Sequence, residues 1–287
     1  MKKIISLFLK KLFEVFKRIF LMYWRKKNSY LGNIHSNIDS ASIVKIPFSS
    51  EKAFLRPTKS DVARVSEFIN GIYFTKSYLH DSLLQSKPKV LIDIGANIGL
   101  SSLSLIKEIP TITKVIAIEA ENNNFEILSN NFKIWSKKYK NIEFESIHGI
   151  ATSSSNQRMT ATSNLSEIYS DNTVSGTFRF VIDKNINCDR PNLAKSIGMT
   201  DLLEKYSKKD GIIMKIDIEG GEEFLFSENV DWVSLLSFLT IEIHDRYDTS
   251  LINSSRSFFK VLSKEDFAVV AEHDVLHCYS RRNLSKI

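Results

Sequence analysis

Val90-Leu91-Ile92-Asp93-Ile94-Gly95-Ala96-Asn97-Ile98-Gly99 reads as a buried strand running straight into a glycine-rich turn, and its reading decides the fold. Apolar and β-branched residues make a short central strand, and Asp93 arrives near its carboxyl end, where open α/β sheets bind ligands. Gly95 turns the backbone sharply without a Cβ penalty, and Gly99 lets the following helix approach the strand. Free N–H groups at that helix start suit an anionic ligand group. Outward from the turn, Lys114-Val115-Ile116-Ala117-Ile118 makes a second apolar strand that ends on Glu119, a fixed two-oxygen acceptor of the kind that holds both hydroxyls of a ribose.

The same rhythm continues: strand 90–94, helix 99–108, strand 114–119, helix 122–138, strand 142–147. After a polar run at 151–192, which breaks the rhythm with only 176–182 strand-like, come helix 200–206, strand 212–216, helix 222–228 and strand 238–243. A helix at 258–262 and strands 268–271 and 277–280 close the chain. This alternation predicts a doubly wound, mostly parallel seven-stranded α/β sheet with an antiparallel C-terminal hairpin. Before it, Asn28 to Ser50 reads as a linker with one short strand at 42–46, and helices are predicted at 61–69 and 77–85.

The cofactor follows from the register of the glycines. A dinucleotide fingerprint places glycines at 95, 97 and 100, whereas this chain has Gly95, Asn97 and Leu100, which disfavours a nicotinamide oxidoreductase. Asp-x-Gly-x-Asn-x-Gly instead resembles the first motif of class I S-adenosylmethionine (SAM) methyltransferases.

The chain of 287 residues, 43% hydrophobic, is long enough for one sizeable α/β core with an appended segment. Cys188 and Cys278 lack metal or redox spacing and suit a reducing compartment. The net charge of +6 is localised: residues 1–27 carry nine basic residues and one acid, +8, which leaves −2 on the rest. On a helix, Ile4, Ile5, Phe8, Leu9, Leu12, Phe13, Phe16, Ile19 and Phe20 share one face, with Lys3, Lys10, Lys11, Lys17 and Arg18 opposite. Such a helix lies on an anionic membrane surface, with Tyr23 and Trp24 at headgroup level, or packs on protein. Its longest apolar run, Ile19 to Trp24, is far short of the ~20 residues of a span. These features place the chain in the cytoplasm, peripheral at the inner membrane face. The slightly acidic remainder carries no nucleic-acid reader motif.

A second constellation ends two later strands. Met214-Lys215-Ile216-Asp217-Ile218-Glu219-Gly220-Gly221-Glu222 and Ile241-Glu242-Ile243-His244 gather charges at the carboxyl edge of the sheet. Side chains alternate along a strand, so Lys215, Asp217 and Glu219 share a side, as do Glu242 and His244. Asp217, Glu219, Glu242 and His244 also suit Mg²⁺ or Mn²⁺, although Lys215 can neutralise the acids instead, and no metal is the main reading. Arg56 reads as a surface or helix-pairing arginine.

Asp-Ile-Gly-Ala-Asn-Ile-Gly, Lys-Ile-Asp-Ile-Glu-Gly-Gly-Glu and Ile-Glu-Ile-His together resemble the FkbM family of SAM-dependent methyltransferases, from about Leu55-Arg56-Pro57 to Ser280. Two departures are Ala120 where the family often has proline and Gly221 in place of a common alanine. The resemblance implies the class I Rossmann-like fold and O-methylation of sugars, polyketides or other secondary products. It implies a cofactor loop of Asp93, Gly95, Asn97 and Gly99, a ribose ligand in Glu119, and Asp217 and Glu219 facing the methyl and the acceptor. Neutral imidazole is available near pH 7, so His244 is the first candidate for the base and Asp217 the second, with Glu219 and Glu242 toward the substrate. The expected substrate is a hydroxyl-bearing sugar, glycan or lipid-linked intermediate. A membrane-associated binding module on the same fold, without catalysis, is the alternative.

Overall fold

In a computed structural model the described residues are 17, 19–24, 38–73, 78–154, 160–162, 179–181, 194–219, 221–244, 253–272 and 274–283. The chain divides into two compact units, residues 1–70 and 71–287. Most of the predicted amphipathic helix and of the 151–192 polar run, with Cys188, lies outside the described residues.

In the first unit, residues 19–24 are helical. Leu21 is buried, while Ile19, Met22 and Tyr23 are exposed, and Phe20 packs edge-on against Phe48 at 5.0 Å. Strand β1 (Ser42–Lys45), predicted from its β-branched residues, pairs antiparallel with β2 (Lys52–Leu55), which was not predicted. Four-residue strands place only two side chains on each face, too few for a period to register. Helix α1 (Lys59–Asn70) starts on Thr58, whose hydroxyl oxygen accepts the Asp61 N–H at 3.1 Å. The Asp61 carboxylate receives the Arg56 backbone N–H at 2.8 Å and its guanidinium at 2.7 and 3.2 Å. Arg56 is thus a buried partner of the helix start, not a surface residue. Among the described residues no helix is long and apolar enough to cross a membrane.

The second unit opens with α2 (Tyr78–Gln85) and then alternates β3 (Val90–Ile94), α3 (Leu100–Glu108), β4 (Lys114–Glu119), α4 (Asn122–Lys138) and β5 (Glu143–Thr152). The Glu121 side chain caps α4 by accepting the Asn124 N–H at 2.6 Å, and Lys137 and Lys138 sit in its last turn, where the helix dipole favours cations. Within the polar run, β6 (Thr160–Thr162) and β7 (Arg179–Val181) pair antiparallel, the latter inside the predicted 176–182 strand. There follow β8 (Lys195–Gly198), α5 (Met199–Leu203), β9 (Ile212–Ile216), α6 (Glu222–Phe226), β10 (Leu236–Glu242), α7 (Asn253–Leu262), β11 (Phe267–Glu272) and β12 (Val275–Ser280).

The main sheet runs β11-β12-β10-β9-β3-β4-β5-β8. Only β12 runs opposite to the other strands, inserted between β10 and β11 and antiparallel to both. This is the predicted fold class with an eighth strand: β8 adds to β5 in parallel, pairing Gly149 with Lys195 through Thr152 with Gly198. Ile197 is its one large apolar residue, so the sequence around it reads as loop. The central strands β3 and β9 are buried throughout. The chain leaves β3 toward β4 on one side and returns to β9 on the other, so the switch point of the sheet lies at the carboxyl ends of β3 and β9.

Candidate active site

The loop after β3 is clamped from both sides. Gly95 and Ala96 donate their N–H groups to the Ile118 carbonyl at 3.0 and 3.1 Å, and Asp217 donates its own to the Ile94 carbonyl at 3.0 Å. Gly95 has φ +72°, and a Cβ there would lie 1.8 Å from the Asp217 carbonyl oxygen, so only glycine fits. Gly99, at φ +86°, makes room differently from the expected strand contact: a Cβ would meet Leu128 of α4 at 2.7 Å. Asn97 adopts φ +51° and donates its N–H to Glu119 Oε2 at 2.8 Å. Its side-chain Oδ1 is buried with no hydrogen-bond partner among the described residues.

Glu119 ends β4 nearly buried, its other oxygen Oε1 accepting the Glu121 N–H at 2.8 Å. Each carboxylate oxygen retains a second lone-pair direction for a ligand hydroxyl. Burial pushes this carboxyl up to about 7, against the pull of the two backbone N–H groups and of Lys215.

Asp93 lies near the end of β3, beneath the loop. It is fully buried, its Oδ2 accepts both the Ser101 and Ser102 hydroxyls at 2.6 Å, and its Oδ1 lies 3.5 Å from the Lys215 ammonium. It therefore supports the loop from beneath and joins it to the first turn of α3. Lys215, on β9 directly opposite Asp93, donates to the Gly95 carbonyl at 2.8 Å and approaches Asp217 Oδ2 at 3.5 Å. One buried ammonium thus ties the glycine loop to the acidic strand end.

The acidic side chains converge on His244. Its Nε2 lies 3.4 Å from Glu219 Oε2, 3.7 Å from Asp217 Oδ1 and 3.7 Å from Glu242 Oε1. Nδ1 is 2.6 Å from Oε1 of Glu222. His244 is 1% and Glu222 0% exposed, whereas the Asp217, Glu219 and Glu242 side chains keep 18%, 34% and 29%. Burial by itself lowers the His244 pKa, but the hydrogen bond to Glu222 and the charges of Glu222, Glu219 and Asp217 outweigh it and lift the ring to about 9. The neutral imidazole expected near pH 7 is therefore not what this carboxylate nest presents. Glu222 had no role in the sequence reading. It pairs with His244 from the first residue of α6, and a pairing 22 residues apart leaves no periodic signal.

A sheet in this order, with a glycine loop at the end of its central strand, defines a class I S-adenosylmethionine-dependent methyltransferase domain. Within that class the chain belongs to the FkbM methyltransferase family, whose Methyltransferase FkbM domain matches residues 93–263. Among solved structures, it is similar to the methyltransferase FkbM from Methylobacillus flagellatus KT, at 15% identity and a TM-score of 0.46 over 76% of this chain, and it spans 59% of that one. It is also similar to the O-methyltransferase from Bacillus cereus in complex with SAH, at 11% identity and TM-score 0.40, with 76% and 89% of the two chains covered. No curated protein matches the sequence.

Proposed function

We propose that the protein moves the methyl group of SAM to a hydroxyl of a sugar, glycan or lipid-linked intermediate. The observation that carries this reading is the double use of Asp217: its backbone carbonyl packs on Gly95, and its carboxylate faces His244. The cofactor loop and the acidic cluster are thereby neighbours at the switch point. The residues present fit SAM. Glu119 has acceptor capacity for the ribose hydroxyls, and the buried Asn97 Oδ1 is an acceptor suited to the cofactor's amino group.

SAM supplies an electrophilic methyl on a good leaving group, so alignment supplies much of the rate. With SAM held at the glycine loop, Asp217 would take the proton of the acceptor hydroxyl as the methyl is transferred to its oxygen and S-adenosylhomocysteine leaves. Glu219 and Glu242, part-exposed at the rim, accept hydrogen bonds from neighbouring hydroxyls, as polyol acceptors require. Residues 1–27 hold the enzyme on an anionic cytoplasmic membrane surface, where lipid-linked acceptors lie.

Calorimetric titration with SAM, S-adenosylhomocysteine and NADH tests the cofactor. Binding of the first two and not the third is the expected outcome, and binding of NADH alone overturns the reading. Turnover with a panel of glycan and lipid-linked acceptors then separates an enzyme from a binding module.

A further inference from the structure

We propose that Asp217, Glu242 and His244 hold a divalent cation, with Glu222 fixing the imidazole from behind; this rests on the methyl-transfer reading and adds to it the means of activating the acceptor. The ligand atoms of these three residues lie within 4.8 Å of one another. The 3.7 Å separations of His244 Nε2 from Asp217 and Glu242 exceed the ~2.7–3.2 Å of an N–H···O hydrogen bond. They suit a shared ion, since metal–ligand bonds of about 2.1 Å put neighbouring ligand atoms about 3.0 Å apart and opposite ones about 4.2 Å apart.

The imidazole is an independent pointer. It is almost entirely buried, and its Nδ1 is committed at 2.6 Å to a carboxylate that is itself fully buried. A carboxylate behind one ring nitrogen is the arrangement that orients histidine toward a metal through the other. That other nitrogen, Nε2, faces Asp217, Glu219 and Glu242, and a cation bound there takes the place of its proton, which is released to solvent.

Charge points the same way. Four carboxylates, Asp217, Glu219, Glu222 and Glu242, surround His244. The ammonium of Lys215 is shared with Asp93 and the Gly95 carbonyl. Such an excess of negative charge around a buried imidazole favours a cation. The oxygen-rich set with one imidazole fits Mn²⁺ or Mg²⁺.

An acceptor hydroxyl bound to this cation becomes more acidic, so a weak base such as the Asp217 oxygen that is not on the ion suffices to take its proton. A vicinal diol could place both oxygens on the ion, which narrows the acceptor class to sugars and other polyols.

The test titrates chelator-stripped full-length protein with Mn²⁺ alone, following the free-ion electron paramagnetic resonance signal. One equivalent is expected to disappear in the wild type. Glu242→Gln should raise the Mn²⁺ Kd at least tenfold. Glu222→Gln, which removes no ligand atom, should raise it about 10- to 100-fold. Circular dichroism and SAM affinity, measured on each variant, report folding and the cofactor site separately. No Mn²⁺ uptake by a wild-type protein that binds SAM, or equal uptake by wild type and Glu242→Gln, overturns the cation site and leaves methyl transfer standing. Mn²⁺ uptake without SAM binding would instead sink the methyl-transfer reading on which the acceptor role depends.

Discussion

The carbonyl oxygen of Asp217 occupies the space in which a side chain on Gly95 would begin, 1.8 Å from an ideal Cβ. The glycine loop and the strand end that carries the acidic cluster are therefore packed backbone to backbone. Gly95→Ala must displace Asp217 and adopt φ +72° with a side chain. Overpacking of this kind costs about 1–3 kcal/mol, and a left-handed backbone about 1–2 kcal/mol more. A lower urea midpoint and at least tenfold weaker SAM binding are expected; wild-type values for both would show that the two backbones can part freely.

Glu119 makes cofactor binding depend on pH. Its carboxyl sits at about 7, raised by burial, so in the ligand-free protein it gains its charge between pH 6 and 8. Ribose hydroxyls donate to the ionised form, so SAM affinity should rise across that window, and binding near pH 6.5 should release a proton. Calorimetry in buffers of different ionisation enthalpy reads that proton directly. Glu119→Gln should flatten the profile and, at pH 8, weaken SAM about 10- to 100-fold, the loss of one charge-assisted hydrogen bond at roughly 1.5–3 kcal/mol. The sign for stability is opposite: a carboxyl raised by folding contributes most below its unfolded value. Its contribution is then lost as pH climbs through about 7.

Lys215→Met leaves the buried Asp93 without its ammonium neighbour. Removing one member of a buried pair costs about 3–5 kcal/mol, and chemical denaturation should show a loss of that order. Adding Asp93→Asn should recover part of it. A double variant no more stable than Lys215→Met would mean that the hydroxyls of Ser101 and Ser102 already satisfy Asp93.

His244→Ala strips the fully buried Glu222 of its partner and should lower stability by about 3–5 kcal/mol. SAM affinity should stay within about twofold, since the ring lies on the acceptor side. An equal collapse of SAM binding in folded protein would move His244 into the cofactor site.

Deleting residues 1–27 should release the protein from vesicles rich in anionic lipid, measured by co-sedimentation. Each basic residue near such a surface contributes about 1 kcal/mol, so added salt should weaken the intact chain's binding steeply. Retention of the truncated chain would place the attachment elsewhere.

Most of the sheet was legible because β3, β4, β9 and β10 are apolar runs ending in glycine, Glu119, Asp217 and the Glu242-His244 pair. Three strands were hidden for reasons of length: β2 and β8 have four residues each and β6 has three, and pairing, not pattern, makes them strands. At the site, strand alternation anticipated that Glu242 and His244 point together. It did not reveal that Asp93 faces Ser101, Ser102 and Lys215, because which face of a buried strand meets the next helix is settled in three dimensions. Glu222 was invisible for the same reason, and with it the charge state of His244.

The position of β12 also sets an order of assembly. Strands β3 to β5, which end in the glycine loop and Glu119, come from one contiguous run of chain and can pair as soon as it leaves the ribosome. Strand β10 stays an open edge until Val275–Ser280 arrive to cover it. A nascent chain halted before residue 275 would carry a complete cofactor half beside a bare strand. In that interval the uncovered edge of β10 is open to pairing with another strand.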